Sequence, residues 1–146
     1  MKTVTGSEFD AEALKAQAAD YHSKGFNCAQ SVACALAPEL GVDADAVCRM
    51  TEGFGLGMGG MSETCGAISG GVVALGFASS NGLDAPSNKK ATYQLSKQLV
   101  EDFRQKNGAT LCHELKGVGC EHPMLRSCPG CIDDAVELTV GILKEL

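Results

Sequence analysis

Apolar side chains recur every three to four residues along this chain, and few runs alternate apolar with polar as strands would. Leu14, Ala18 and Tyr21 share one face of a first predicted helix, which His22, Lys24 and Gly25 end with ordinary C-terminal chemistry. A second helix starts after Asn27 and runs to Pro38 or Leu40, and a short amphipathic piece spans Asp43 to Met50. Ala91, Leu95, Leu99 and Phe103 repeat every four residues on a long helix that begins near Ser87 and stops at Gly108. Ile132, Val136, Val140 and Leu143 mark the last one. The pattern predicts an all-α fold, a compact helical bundle in which a Gly-rich loop precedes a buried central helix.

The central helix follows from a stretch without charge between Glu63 and Asp84. Its bulk is Gly, Ala and Ser and its flanks are acidic, which favours a place inside a bundle over a membrane span. Small faces such as Gly66-x-x-x-Gly70 let neighbouring helices come close, and they are also compatible with a homodimer. The loop before it, from Gly53 to Gly60, formally matches G-x-G-x-x-G at Gly55, Gly57 and Gly60, but no βαβ unit surrounds it. Two readings of these glycines remain. Either they let the loop run against the bundle, or they bring bare backbone N–H groups up to the Cys65 sulfur, an anion or a cluster.

With 146 residues, the chain has the length of a single domain over residues 1–146, able to bury roughly 70% of its unfolded surface without disulfide staples. Its eight cysteines therefore need another explanation. The first twenty residues lack an apolar signal segment, so the chain reads as cytoplasmic, where thiols stay reduced and clustered cysteines bind metal or do redox chemistry. Net charge is −6 and no basic cluster exceeds Lys89-Lys90, which argues against nucleic acid and anionic membranes as partners.

Four cysteines stand one or two residues after a residue that favours helix caps: Asn27-Cys28, Thr64-Cys65, Thr110-Leu111-Cys112 and Ser127-Cys128. A helix start offers unpaired N–H groups and the positive end of the macrodipole, so sulfur placed there ionises more readily. The four are the candidate catalytic residues. Cys131 joins Cys128 in a C-x-x-C pair that suits either a small disulfide ring or two metal ligands, without the βαβ context of a thioredoxin. Asp133 and Asp134, one turn on, favour the helix start but oppose a nearby thiolate. Cys34 and Cys48 lie inside predicted helices and read as packing residues. Cys120, His113 and His122 lie near the pair, and both histidines read as hydrogen-bonded or solvent-facing residues. Zinc is not favoured, because only Cys128 and Cys131 form a close-spaced ligand pair.

Cys65-Gly66-Ala67-Ile68-Ser69-Gly70 resembles the central motif of the C_GCAxxG_C_C family of small bacterial and archaeal proteins to which a redox role is ascribed. Gly25-Phe26-Asn27-Cys28-Ala29, Leu111-Cys112-His113-Glu114-Leu115 and Ser127-Cys128-Pro129 resemble its other cysteine segments, in the same order. The chain departs from that pattern by adding Cys34, Cys48, Cys120 and Cys131. The resemblance implies redox activity without naming a substrate or a redox partner.

Two mechanisms are compatible with the residues. In a thiol oxidoreductase, Cys65 attacks as thiolate and Cys28, Cys112 or Cys128 resolves the mixed disulfide. In an electron carrier or sensor, Cys28, Cys65, Cys112 and Cys128, with Cys131 as a further metal ligand, hold an iron–sulfur cluster, although no ferredoxin spacing is present.

Overall fold

The periodic segments fold as helices in the computed structural model, which describes residues 9–146. The expectation of no apolar leader rests partly on residues 1–8, which lie outside the described residues. Among the described residues there are seven α-helices: α1 Ala11–Ser23, α2 Cys28–Leu40, α3 Ala44–Thr51, α4 Gly66–Ser79, α5 Lys89–Asn107, α6 Cys112–Lys116 and α7 Cys128–Leu143. No helix among them is long and apolar enough to cross a membrane.

Several boundaries have direct causes. Asp10 and Asp43 accept from the N–H groups of Ala13 and Ala46 and so start α1 and α3. Asn27 caps α2 in a reciprocal box with Gln30, each side chain accepting from the other's backbone N–H. Gly41 and Gly108 end α2 and α5 in the left-handed conformation.

The core forms where α2, α4 and α7 meet, with α1, α3 and α5 around them. Val32, Leu36, Ile68, Leu75, Leu99, Phe103, Ile132, Val136 and Val140 are buried in it. The long periodic face of α5 is buried only in its second half: Leu99 and Phe103 are fully enclosed, Leu95 is half-buried and Ala91 is exposed. The small residues of α4 are used for close approach. A Cβ on Gly70 would stand 2.5 Å from the Ala29 carbonyl oxygen of α2, so no side chain fits there without separating the helices.

Residues 52–61 take an irregular path between α3 and α4. A single 3-10 turn, Glu52–Phe54, is followed by one wide turn over Gly57–Met61, with Leu56, Met58 and Met61 at positive φ. Left-handed backbone at three residues with side chains is unfavourable by about 1 kcal/mol each. The segment closes onto the bundle at Gly57, which has φ +55°, and whose missing Cβ would stand 2.6 Å from the Cβ of Cys112.

Candidate functional site

The N-termini of α2, α4, α6 and α7 come to one place, and the cysteines come with them. Cys28, Cys112 and Cys128 are the first residues of their helices, and Cys65 is the cap residue of α4. The capping residues behave in two ways. Asn27 and Ser127 close cap hydrogen bonds to Gln30 and Gly130. Thr64 and Thr110 do not cap; an antiparallel bridge between Thr64 and Leu111 ties the two segments together. Cys65 N–H donates to the Thr110 carbonyl at 2.8 Å and Cys112 N–H to the Glu63 carbonyl at 2.9 Å. This bridge holds Cys65 and Cys112 side by side although they are far apart in sequence.

Cys28, Cys65, Cys112, Cys128 and Cys131 all line one cavity of about 190 Å³, together with His22, Leu56, Leu115, Lys116 and Arg126. Among the described residues no carboxylate lines it. The C-x-x-C spacing suggests that Cys128 and Cys131 pair with each other. Instead, each is coupled electrostatically across the cavity, Cys128 to Cys28 and Cys131 to Cys65. Positions i and i+3 of the first turn of α7 point these thiols at two different neighbouring helix starts.

The two pairs differ in their electrostatics. The Cys28 thiol and the Lys116 ammonium together lower the pKa of Cys128 to about 5, against the opposing effect of burial. Lys116 Nζ donates to Cys128 Sγ at 2.8 Å. Donation to that thiolate, with burial, pushes the Cys28 thiol up, so it keeps its proton. In the second pair the Cys131 thiol donates to Cys65, lowering Cys65 and raising itself. The N–H groups of Ala67 and Ile68 face the Cys65 sulfur without closing a regular cap bond. The first pair has a cation hydrogen-bonded to its thiolate, and Cys128 is half-buried where Cys65 is 5% exposed. Cys112 is buried and stays a thiol, because burial outweighs the attraction of Lys116.

Lys116 is a functional residue without a motif of its own. It sits one turn after Cys112 on α6, and only the packing of α6 against the start of α7 brings its ammonium to Cys128. Arg126 is equally silent in the sequence. It forms a two-bond pair with Asp134, at 3.0 and 3.1 Å, and crosses Gly130 so closely that a Cβ there would meet its Nε at 2.5 Å. Gly130 of the C-x-x-C segment is thereby accounted for. The carboxylates expected to oppose a thiolate are both neutralised elsewhere: Asp134, 1% exposed, by Arg126, Lys106 and Asn107, and Asp133 by Lys15 at 3.6 Å.

The remaining candidates lie apart. His113 does not turn toward Cys112; its Nδ1 lies 3.7 Å from Cys120 Sγ, in the loop after α6. The His122 ring hydrogen-bonds the Pro123 carbonyl at the surface. Cys34 is buried and Cys48 half-buried between α2 and α3.

A cluster or a single metal ion needs several deprotonated ligands converging on one point. Among the described residues no group of three His, Cys, Asp or Glu side chains could hold a metal ion. Four of the cavity sulfurs face one another in two pairs, and three of the five, Cys28, Cys112 and Cys131, have raised pKa values, which favours thiols. The donor set therefore fits two dithiols better than a cluster.

Searches of curated proteins and of solved structures return no match to this chain. A family model described as "Putative redox-active protein (C_GCAxxG_C_C)" matches residues 26–142, from the Phe26 segment before the first site cysteine into the last turn of α7. The chain therefore belongs to the C_GCAxxG_C_C family of redox-active proteins.

Proposed function

We propose that this protein is a thiol-disulfide oxidoreductase in which Cys128 attacks and Cys28 resolves. The observation that carries the reading is the Cys128 sulfur held by Lys116 at 2.8 Å, on a cavity it shares with Cys28. A thiolate with a pKa of about 5 is ionised at neutral pH, and its resolving partner is already within hydrogen-bond reach.

The chemistry balances as follows. Cys128 thiolate attacks one sulfur of a disulfide RSSR, forming Cys128–S–SR and releasing RS⁻. Charge on Cys128 is lost, so the Cys28 thiol loses its acceptor and yields its proton to RS⁻, giving RSH. Cys28 thiolate then attacks Cys128 Sγ, the Cys28–Cys128 disulfide forms, and a second RS⁻ leaves. The substrate is reduced by two electrons, and an external dithiol restores the protein. Cys65 and Cys131 provide a second thiol pair on the same cavity wall.

The substrate class is a low-molecular-weight disulfide. A cavity of about 190 Å³ is little larger than the ~150 Å³ that accepts a benzene ring, so it takes a small molecule and excludes a folded partner. A reducing compartment such as the cytoplasm supplies the dithiol that the cycle needs.

The test begins with anaerobically purified protein, its visible spectrum, its iron content and its free-thiol count. A colourless, iron-free protein that loses and regains thiols in pairs supports the reading, provided Cys28→Ser and Cys128→Ser each abolish one pair and disulfide turnover. A brown preparation with stoichiometric iron, lost in the same variants, would replace it with a cluster protein.

A further inference from the structure

Outside the cavity, a second place on the molecule brings two sulfurs together. Gln30 and Cys34 are one turn apart on α2, and Ala44 and Cys48 one turn apart on α3, so each pair shares a helix face. The two faces meet. Gln30 Nε2 lies 3.4 Å from Cys48 Sγ, Cys34 Sγ lies 3.7 Å from the Ala44 carbonyl oxygen, and the short turn Gly41–Asp43 keeps the helices side by side. Between these contacts, Cys48 packs against the buried cluster of Cys34, Ala33, Ala37 and Val47.

We infer that Cys34 and Cys48 form a second disulfide couple that staples α2 to α3, oxidised by a low-molecular-weight disulfide such as glutathione disulfide. The inference does not depend on the function proposed for the cavity.

Access and protonation give the order of events. Cys48 is half-buried and solvent-reachable, whereas Cys34 is 2% exposed. Burial, with Cys48 beside it, pushes Cys34 up to about 12, so Cys34 waits as a thiol. Cys48 thiolate attacks glutathione disulfide, forming a Cys48–glutathione mixed disulfide and releasing glutathione thiolate. That thiolate takes the Cys34 proton, Cys34 attacks Cys48 Sγ, and a second glutathione thiolate leaves and is protonated by solvent. Two protein thiols are oxidised and one glutathione disulfide is reduced to two glutathiones.

The couple is also tied to the helix that carries Cys28. Gln30 Nε2 donates to the Cys48 carbonyl at 3.1 Å, while Gln30 Oε1 accepts from Asn27 N–H at 3.1 Å, directly before Cys28. Closing the bridge fastens α3 to the first two turns of α2, and so to the cap that positions Cys28.

The full-length protein, incubated with excess glutathione disulfide and then alkylated, is cleaved after glutamate. Cleavage at Glu39 and Glu52 puts Cys34 and Cys48 on separate peptides, 13–39 and 40–52. The expected product joins these two peptides, with fragmentation placing the bond to Cys48 on Cys34 rather than Cys28; a Cys28–Cys128 disulfide adds peptide 122–137 to the same product, and the digest of Cys28→Ser protein gives the two-peptide product alone. Oxidation should raise the melting temperature by about 5 °C over the reduced protein, and Cys48→Ser should abolish that rise. Recovery of Cys34 and Cys48 as alkylated thiols, or of Cys48 as a lasting mixed disulfide with Cys34 still free, would overturn the inference. Cys128 falls in peptide 122–137, so oxidation of the cavity pair is read from whether that peptide is joined to Cys28 of peptide 13–39.

Discussion

Lys116 Nζ stands 2.8 Å from Cys128 Sγ, joining the last residue of α6 to the first residue of α7. With the hydrogen bond from Cys28, this ion pair gives Cys128 a pKa of about 5. Below that pH the sulfur is a thiol and unreactive; above it, a thiolate. Lys116→Met removes the cation and raises the midpoint of Cys128 alkylation by about one pH unit. At pH 5.5 the rate should fall severalfold, and at pH 8 it should be almost unchanged. Alkylation rates across pH 4–9, read by mass on the peptide bearing Cys128, check this.

Cys28 is placed to resolve a mixed disulfide on Cys128. In Cys28→Ala no resolving thiol faces that sulfur, and the small-molecule adduct on Cys128 should persist. Intact mass after exposure to glutathione disulfide should show one stable adduct in the variant and none at that position in the wild type. A variant that clears the adduct at the wild-type rate would give the resolving role to another cysteine.

Asp134 holds Arg126 and Lys106 on opposite sides while 1% exposed. Burial works against its charge, but the bonds from Arg126, Lys106 and Asn107 win and lower its pKa. Its folded pKa being depressed, its contribution is fully present above the ordinary carboxylate pKa and is lost as pH falls through the folded value. Asp134→Asn should cost about 1–2 kcal/mol at neutral pH, moderated because both cations are partly solvated, and little under strongly acidic conditions. Urea denaturation at neutral and at acidic pH measures the difference.

Gly70 is the tightest point between α2 and α4, where a Cβ would stand 2.5 Å from the Ala29 carbonyl oxygen. Ala29 directly follows Cys28, so Gly70→Ala disturbs the site as well as the core. It should destabilise the protein by about 1–3 kcal/mol and slow cavity thiol oxidation. Gly76→Ala is the control on the same helix: its Cβ would meet nothing within 4 Å, and stability should not fall.

Much of this architecture was legible in the order of residues, because helix periodicity and capping are local. Asn27, Ser127, Gly41 and Gly108 act within a few residues of themselves, so they could be read one segment at a time. The same holds for the four helix-start cysteines, whose positions depend on where helices begin. Pairing could not be read this way. The adjacent Cys128 and Cys131 face different partners, and Thr64 and Thr110, expected as caps, are held in a bridge whose other half is nearly fifty residues distant.

Dihedral preferences, caps and apolar spacing act over one or two turns, so an all-α chain with four cysteines at helix starts follows from local residue order. That these sulfurs share one cavity, that Lys116 charges one of them and that Cys48 packs against Cys34 is set when the helices come together. Those relationships depend on the relative placement of whole helices, which close packing around Gly70, Val32 and Val136 sets. Electrostatic effects on a thiol die away within a few ångströms, so a pKa depends on that placement and not on neighbours along the chain.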